Sequence, residues 1–257
     1  MKYEILGPLR VVDEGGVSSL SARKIETLLT VLLIRADQVV SCDQLIEEIW
    51  CDDVPRRATA GLHVYVSQLR KWLDRPGRAD SPVVTRPPGY LLRLGSDELD
   101  LHEFQRLSRQ GRAYQAAGRP DLAAASLEAA LALWRGAVPR DTTCGPVVDG
   151  FVTWLEESRL ECLEALAEAN LRLGRHRELV SRLYSLTTEY PLRESFYRQL
   201  MLALYRSERQ ADALMVYHSA RETLHDELGL EPCRTLRELQ QAILMEDDSL
   251  SALPAAM

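Results

Sequence analysis

Between Val54 and Arg93 stand eight basic residues, Arg56, Arg57, Arg70, Lys71, Arg75, Arg78, Arg86 and Arg93, against two acidic ones, Asp74 and Asp80. The whole chain of 257 residues carries a formal net charge of −7. A local cation excess inside an acidic protein calls for a polyanionic partner. Among these cations lie Thr59, His63, Val64, Ser67 and Gln68. The methyls of Thr59 and Val64 suit thymine, the Gln68 amide suits an adenine edge, and His63 is a donor toward base or phosphate. Arg56, Arg57, Arg70 and Lys71 bracket them where phosphates would lie. The chemistry on offer is recognition of a duplex.

Bond-making chemistry finds little support. The histidines, His63, His102, His176, His218 and His225, show no HExxH spacing. Neither GxxxxGK[ST], GxGxxG nor GxSxG occurs. Acidic residues fall mainly on helical faces interleaved with Arg, the look of solvated surface. No enzyme activity, cofactor or metal is expected. Cys42, Cys51, Cys144, Cys162 and Cys233 are widely spaced and never CxxC, so reduced structural thiols are expected. No apolar run approaches the roughly 18–20 residues of a membrane span. The opening MKYEILGPLRVV reads as a strand instead of a signal peptide, which places the expected protein in the cytoplasm.

The elements that must position the reading residues follow from periodicity. Residues 3–12 and 17–20 read as strands joined by the Asp13-Glu14-Gly15-Gly16 turn. A helix over 22–35 carries Ile25, Leu28, Leu29, Leu32 and Leu33 on one face. Ser41 with Gln44 three residues on marks the start of a second helix, which runs to about residue 50. Pro55 disfavours helix before it. The third helix, over 58–73, buries Leu62, Tyr65, Val66, Leu69, Trp72 and Leu73 and leaves Ala60, His63, Val64, Ser67, Gln68 and Lys71 outward. VVTRPPGYLLRL then reads as a β-hairpin with Arg86 beside its tip, where a narrow minor groove attracts Arg. Helix, polar break and hairpin in this order are how a winged helix-turn-helix meets DNA.

From about residue 99 the pattern is helical only. Turn segments recur at 117–120, 173–176 and 207–210. The last two lie 34 residues apart, the tetratricopeptide period, and the Gly/Pro-rich segment 136–150 absorbs a longer first interval. Residues 1–93 hold 13 basic and 12 acidic residues, and the remainder holds 18 and 26. The acidic second half suits a protein partner better than DNA. The expected fold is mainly α with a small N-terminal β component, a winged helix-turn-helix over 1–94, a tetratricopeptide-like domain over 98–245 and a flexible tail over 246–257.

These strings together carry a resemblance. SARKIETLLTVLLIRADQVVSCDQLIEEIW, VPRRATAGLHVYVSQLRKWLD, VVTRPPGYLL, LDLHEF and DELGLEPCRTLRELQQAIL are similar to the Streptomyces antibiotic regulatory protein family, over nearly the whole chain. The last string resembles the ending of that family's bacterial transcriptional activation domain. The chain resembles the short type, without the ATPase extension of larger members. The resemblance implies a pathway-specific activator of a secondary-metabolite cluster. It implies binding to direct repeats in double-stranded DNA near a promoter, self-association there, and recruitment of RNA polymerase through its sigma and other subunits. By motif match the reading helix falls on 59–71 and the wing on 85–90, Tyr90 included. Gln68 stands where many relatives carry Arg, and Cys51 where the turn is often Gly. A different class of protein, a tetratricopeptide scaffold whose winged helix contacts protein, is the alternative, since the net charge of the first domain is modest.

Overall fold

The computed structural model describes residues 1–75, 80–137 and 145–250. Arg78, residues 138–144 of the segment expected to absorb the longer interval (Cys144 among them), and the tail from 251 lie outside the described residues. The chain divides into two compact units. One comprises Met1–Arg106 with Ala130–Arg159, and the other comprises Leu107–Ala129 with the chain from Leu160 onward.

The first unit opens on a sheet. β1 (Lys2–Glu4), β2 (Arg10–Asp13) and β3 (Gly16–Ser18) form an antiparallel meander, with Tyr3 opposite Val11 and Val12 opposite Val17. The single strand expected over 3–12 is therefore two. Gly7 takes φ +135, Pro8 follows, and the chain reverses between them. Tyr3, Leu6 and Val11 are fully buried.

α1 (Arg23–Ile34) buries Ile25, Leu28, Leu29, Val31, Leu32 and Leu33, the stripe expected from its period. β4 (Val40–Ser41) leads directly into α2 (Cys42–Trp50), and the Ser41 hydroxyl accepts from the Gln44 amide at 3.2 Å. This cap satisfies one of the donors left open at a helix start. α2 ends at Cys51, whose φ of 51 explains why this turn position favours glycine. Cys51 is disulfide-bonded, against the expectation of reduced thiols throughout, while Cys42, Cys162 and Cys233 are free.

α3 (Ala58–Trp72) follows, then the hairpin of β5 (Val83–Arg86) and β6 (Gly89–Leu92). β4 pairs with β6, making a three-stranded sheet that the sequence pattern did not disclose. β7 (Glu98–Leu99) adds to β1 in parallel. It delivers Asp100, the first residue of α4 (Asp100–Ala116), whose buried carboxylate accepts from the Ile5 and Leu6 amides at 2.9 and 3.0 Å. Burial pushes this carboxyl up, against the pull of those two amides and of Arg135. α5 (Pro120–Ala132) is followed by Arg135, whose amide donates to Leu6 O and whose guanidinium donates to Pro8 O.

α6 (Pro146–Arg172) starts against α2. The Glu48 carboxylate, on a residue 1 % exposed, accepts from the Val147 amide at 2.7 Å and the Val148 amide at 3.3 Å. A carboxylate at a helix start satisfies open donors and opposes the positive end of the dipole.

The second unit stacks helical hairpins. α7 (His176–Glu189), α8 (Glu194–Tyr205) and α9 (Gln210–Leu228) pack in sequence, and α10 (Arg234–Leu244) lies on α8 and α9 through Leu236 and Ile243. The recurrent turns carry left-handed residues at Gly118, Gly174 and Glu208, of which the last two lie 34 residues apart. Among the described residues no helix is long and apolar enough to cross a membrane.

Candidate nucleic-acid interface

α3 is held by its buried side. Leu62 and Leu69 are fully buried and Val66 nearly so. At about 100° per residue this leaves an outward arc. Ala60, Val64, Ser67, Gln68 and Lys71 occupy it, and all are exposed, Val64 to 52 %. Thr59 and His63 are exposed on the side facing the hairpin, and Arg56 and Arg57 are exposed just ahead of the helix.

The hairpin is fixed beside that arc. Arg86 is opposite Gly89 and Thr85 opposite Tyr90, with Pro87-Pro88 at the tip. β4 crosses so close that a Cβ on Gly89 would stand 1.9 Å from Val40 O, which only a glycine avoids. Pro88 O also accepts from the Cys42 amide at 3.2 Å. The tip therefore has a set position relative to α2, and Arg86 is exposed there.

Arg70 and Tyr90 take a different place from the other residues singled out by sequence. Arg70 Nε donates to Val83 O at 2.9 Å and its Nη2 to Thr85 Oγ1 at 2.8 Å. Its guanidinium stands over the Tyr90 ring, 5.8 Å from the centroid. Tyr90 is only 7 % exposed, and the His63 ring meets it edge-on at 6.5 Å. Burial pushes the Tyr90 phenol up, with Arg70 opposing. This pair braces the hairpin against the helix. Arg75 is likewise engaged, pairing with Asp13 and donating to Trp72 O at 2.7 Å.

Among the described residues no carboxylate pairs with Arg56, Arg57, Lys71 or Arg86. The arc thus combines uncompensated charge with small, readable side chains. The same residues gather no group of three or more His, Cys, Asp or Glu fit for a metal ion. One neighbour was missed by sequence reasoning. Lys24 Nζ of α1 sits 5.0 Å over the Trp50 ring, which stacks on Tyr65 of α3 at 5.6 Å. No local period links a lysine to an indole 26 residues later, so only the tertiary fold could reveal it.

Comparison with known proteins gives the family. Residues 18–92 match the family described as transcriptional regulatory protein, C terminal, and residues 99–244 match the bacterial transcriptional activator domain. The regulatory protein DnrI of Streptomyces peucetius is 37 % identical over 97 % of this chain and 94 % of its own length. The regulatory protein AfsR of Streptomyces griseus is 37 % identical over 98 % of this chain, which spans only 25 % of that relative. The solved structure of Mycobacterium tuberculosis EmbR in complex with a low affinity phosphopeptide superposes with a TM-score of 0.90 at 35 % identity, over 97 % of this chain and 68 % of that one. The chain belongs to the Streptomyces antibiotic regulatory protein family of transcriptional regulators, a winged-helix module joined to a bacterial transcriptional activator domain.

Proposed function

We propose that the protein activates transcription by laying the outward arc of α3 in the major groove of promoter DNA. Thr59, His63, Val64, Ser67 and Gln68 meet base edges there. Arg56, Arg57 and Lys71 hold phosphates, and Arg86 enters the adjoining minor groove from the hairpin tip. Arg70 and Tyr90 act indirectly by fixing the hairpin. Copies of the chain bind direct repeats side by side, and the acidic helical region recruits RNA polymerase, its sigma subunit included. The target is a promoter of a secondary-metabolite cluster.

The observation that carries this reading is a set of exposed, unpaired cations around a small-residue arc in a chain of net charge −7. The test is selection from a random duplex pool with the full chain, followed by binding across a salt series. The selected duplexes should share a direct repeat, and Lys71→Ala should lower the salt slope by about 1 without changing base preference. Retention of the pool without enrichment, at any salt, overturns the reading and leaves the scaffold alternative.

A further inference from the structure

We infer that Lys24 is a DNA phosphate contact that holds the backbone on the side of α3 opposite the hairpin. The inference rests on the DNA-binding reading above and assigns a residue from α1, outside the helix-turn-hairpin segment.

Three contacts fix its position. Lys24 Nζ lies 5.0 Å from the Trp50 centroid. The Trp50 ring stacks on Tyr65 with planes 27° apart. A Cβ built on Gly61 would stand 3.1 Å from Trp50 Cζ2, so the indole lies against the first turns of α3. Trp50 is 8 % exposed, whereas Lys24 is exposed.

The helix period then separates two shoulders of the arc. Gly61, Tyr65 and Gln68 fall on one, and Thr59, His63 and Arg70 on the other. The second shoulder meets the hairpin through Arg70, Thr85 and Tyr90. The first meets Trp50 and, above it, Lys24. A helix lying in a groove about 12 Å wide has a phosphate backbone on each side. The hairpin and Arg86 serve one side, and Lys24 is an exposed cation standing on the other.

The ring also explains why a lysine suffices. A long lysine stem loses much rotamer freedom when its ammonium is held in place. Attraction to the indole face restrains the ammonium before DNA arrives and lowers what ordering costs on binding. Among the described residues no carboxylate forms an ion pair with Lys24, so its charge is available. Phosphate takes an ammonium as a point charge, with no fork geometry to satisfy.

The test compares the full-length wild type, Lys24→Gln, Lys24→Arg and Lys71→Ala. Each is titrated with a mixed-sequence duplex and with the best duplex from the random pool, over a salt series. Lys24→Gln should lower the slope of log affinity against log salt by about 0.9 on both duplexes. Base preference should stay unchanged and Lys24→Arg should restore the slope. A single neutral methylphosphonate, walked along each strand, should find one position that weakens wild type but not Lys24→Gln. An unchanged slope for Lys24→Gln beside a lowered slope for Lys71→Ala overturns the inference and leaves the DNA reading standing. A lowered slope with altered base preference also overturns it, since the contact is then to a base. Salt-indifferent binding by the wild type overturns both readings.

Discussion

Arginine is used in two opposite ways in this molecule. In the helical region many arginines are paired, among them Arg112 with Glu161, Arg193 with Glu164, Arg198 with Glu168, Arg221 with Glu231 and Arg234 with Glu238. Around α3 and the hairpin tip, Arg56, Arg57, Lys71 and Arg86 stand without such partners among the described residues. Pairing on an exposed helix face adds little stability and mainly keeps the surface neutral and soluble. Leaving like charges clustered and unpaired is mildly unfavourable in the free protein, so an external anion must offset it. The position of uncompensated cations, more than their number, is what separates a binding surface from ordinary solvated polarity.

The largest expected effect tests that contrast directly. Replacing Arg56, Arg57, Lys71 and Arg86 together with Gln should flatten the salt dependence of DNA affinity by about 0.9 for each phosphate that is no longer engaged. The thermal midpoint should barely move, because surface substitutions fall within about 0.5 kcal/mol. Arg221→Gln, taken from the paired set, should leave the binding slope unchanged. If both sets altered it equally, the contrast would dissolve into net charge alone.

A second test asks whether the arc depends on the core beneath it. Leu69→Ala deletes a fully buried side chain and should cost ~2–5 kcal/mol of unfolding free energy. DNA binding should fall only in proportion to the unfolded fraction, as read by denaturation and binding at one temperature. A third concerns Glu48. Removing its carboxylate with Glu48→Ala leaves the Val147 and Val148 amides without their acceptor and should cost about 1–3 kcal/mol in urea unfolding.

The smallest expected effect is a pH slope. Burial holds the Asp100 pKa above its ordinary value, so between those two values the folded chain keeps a proton that the unfolded chain has released. This component of stability is present at low pH and fades as pH rises through that window. Asp100→Asn does not titrate. The stability difference, wild type minus variant, should therefore shrink as pH rises, as followed by urea midpoints from acid to neutral. A difference that grew with pH would reverse the assigned cause.

Much of this was legible in the chain. The buried stripe of α3, its outward arc, the Ser41 cap and the hairpin around Pro87-Pro88 all follow from local period and turn chemistry. The last two helical turns follow from a spacing of 34. The failures share a cause. β4 and β7 are two residues long, too short to carry an alternating pattern. Glu48 reaches an amide 99 residues away, and Lys24 finds its indole across two helices. Arg70 and Tyr90 carry the right residue types for DNA, yet the hairpin engages them first. Residue type announces what a side chain can do, while its neighbours in space decide whether it remains free to do it.

The acceptor role of Glu48 has a practical corollary for engineering. Because the start of α6 is seated on α2, the reader is not a cassette that ends where the hairpin ends. A chimera that grafts the first hundred residues onto a foreign activator would carry an orphaned acid and an uncovered flank of α2. Swaps that also transplant the stretch around Pro146 and Val148 would keep the reader whole.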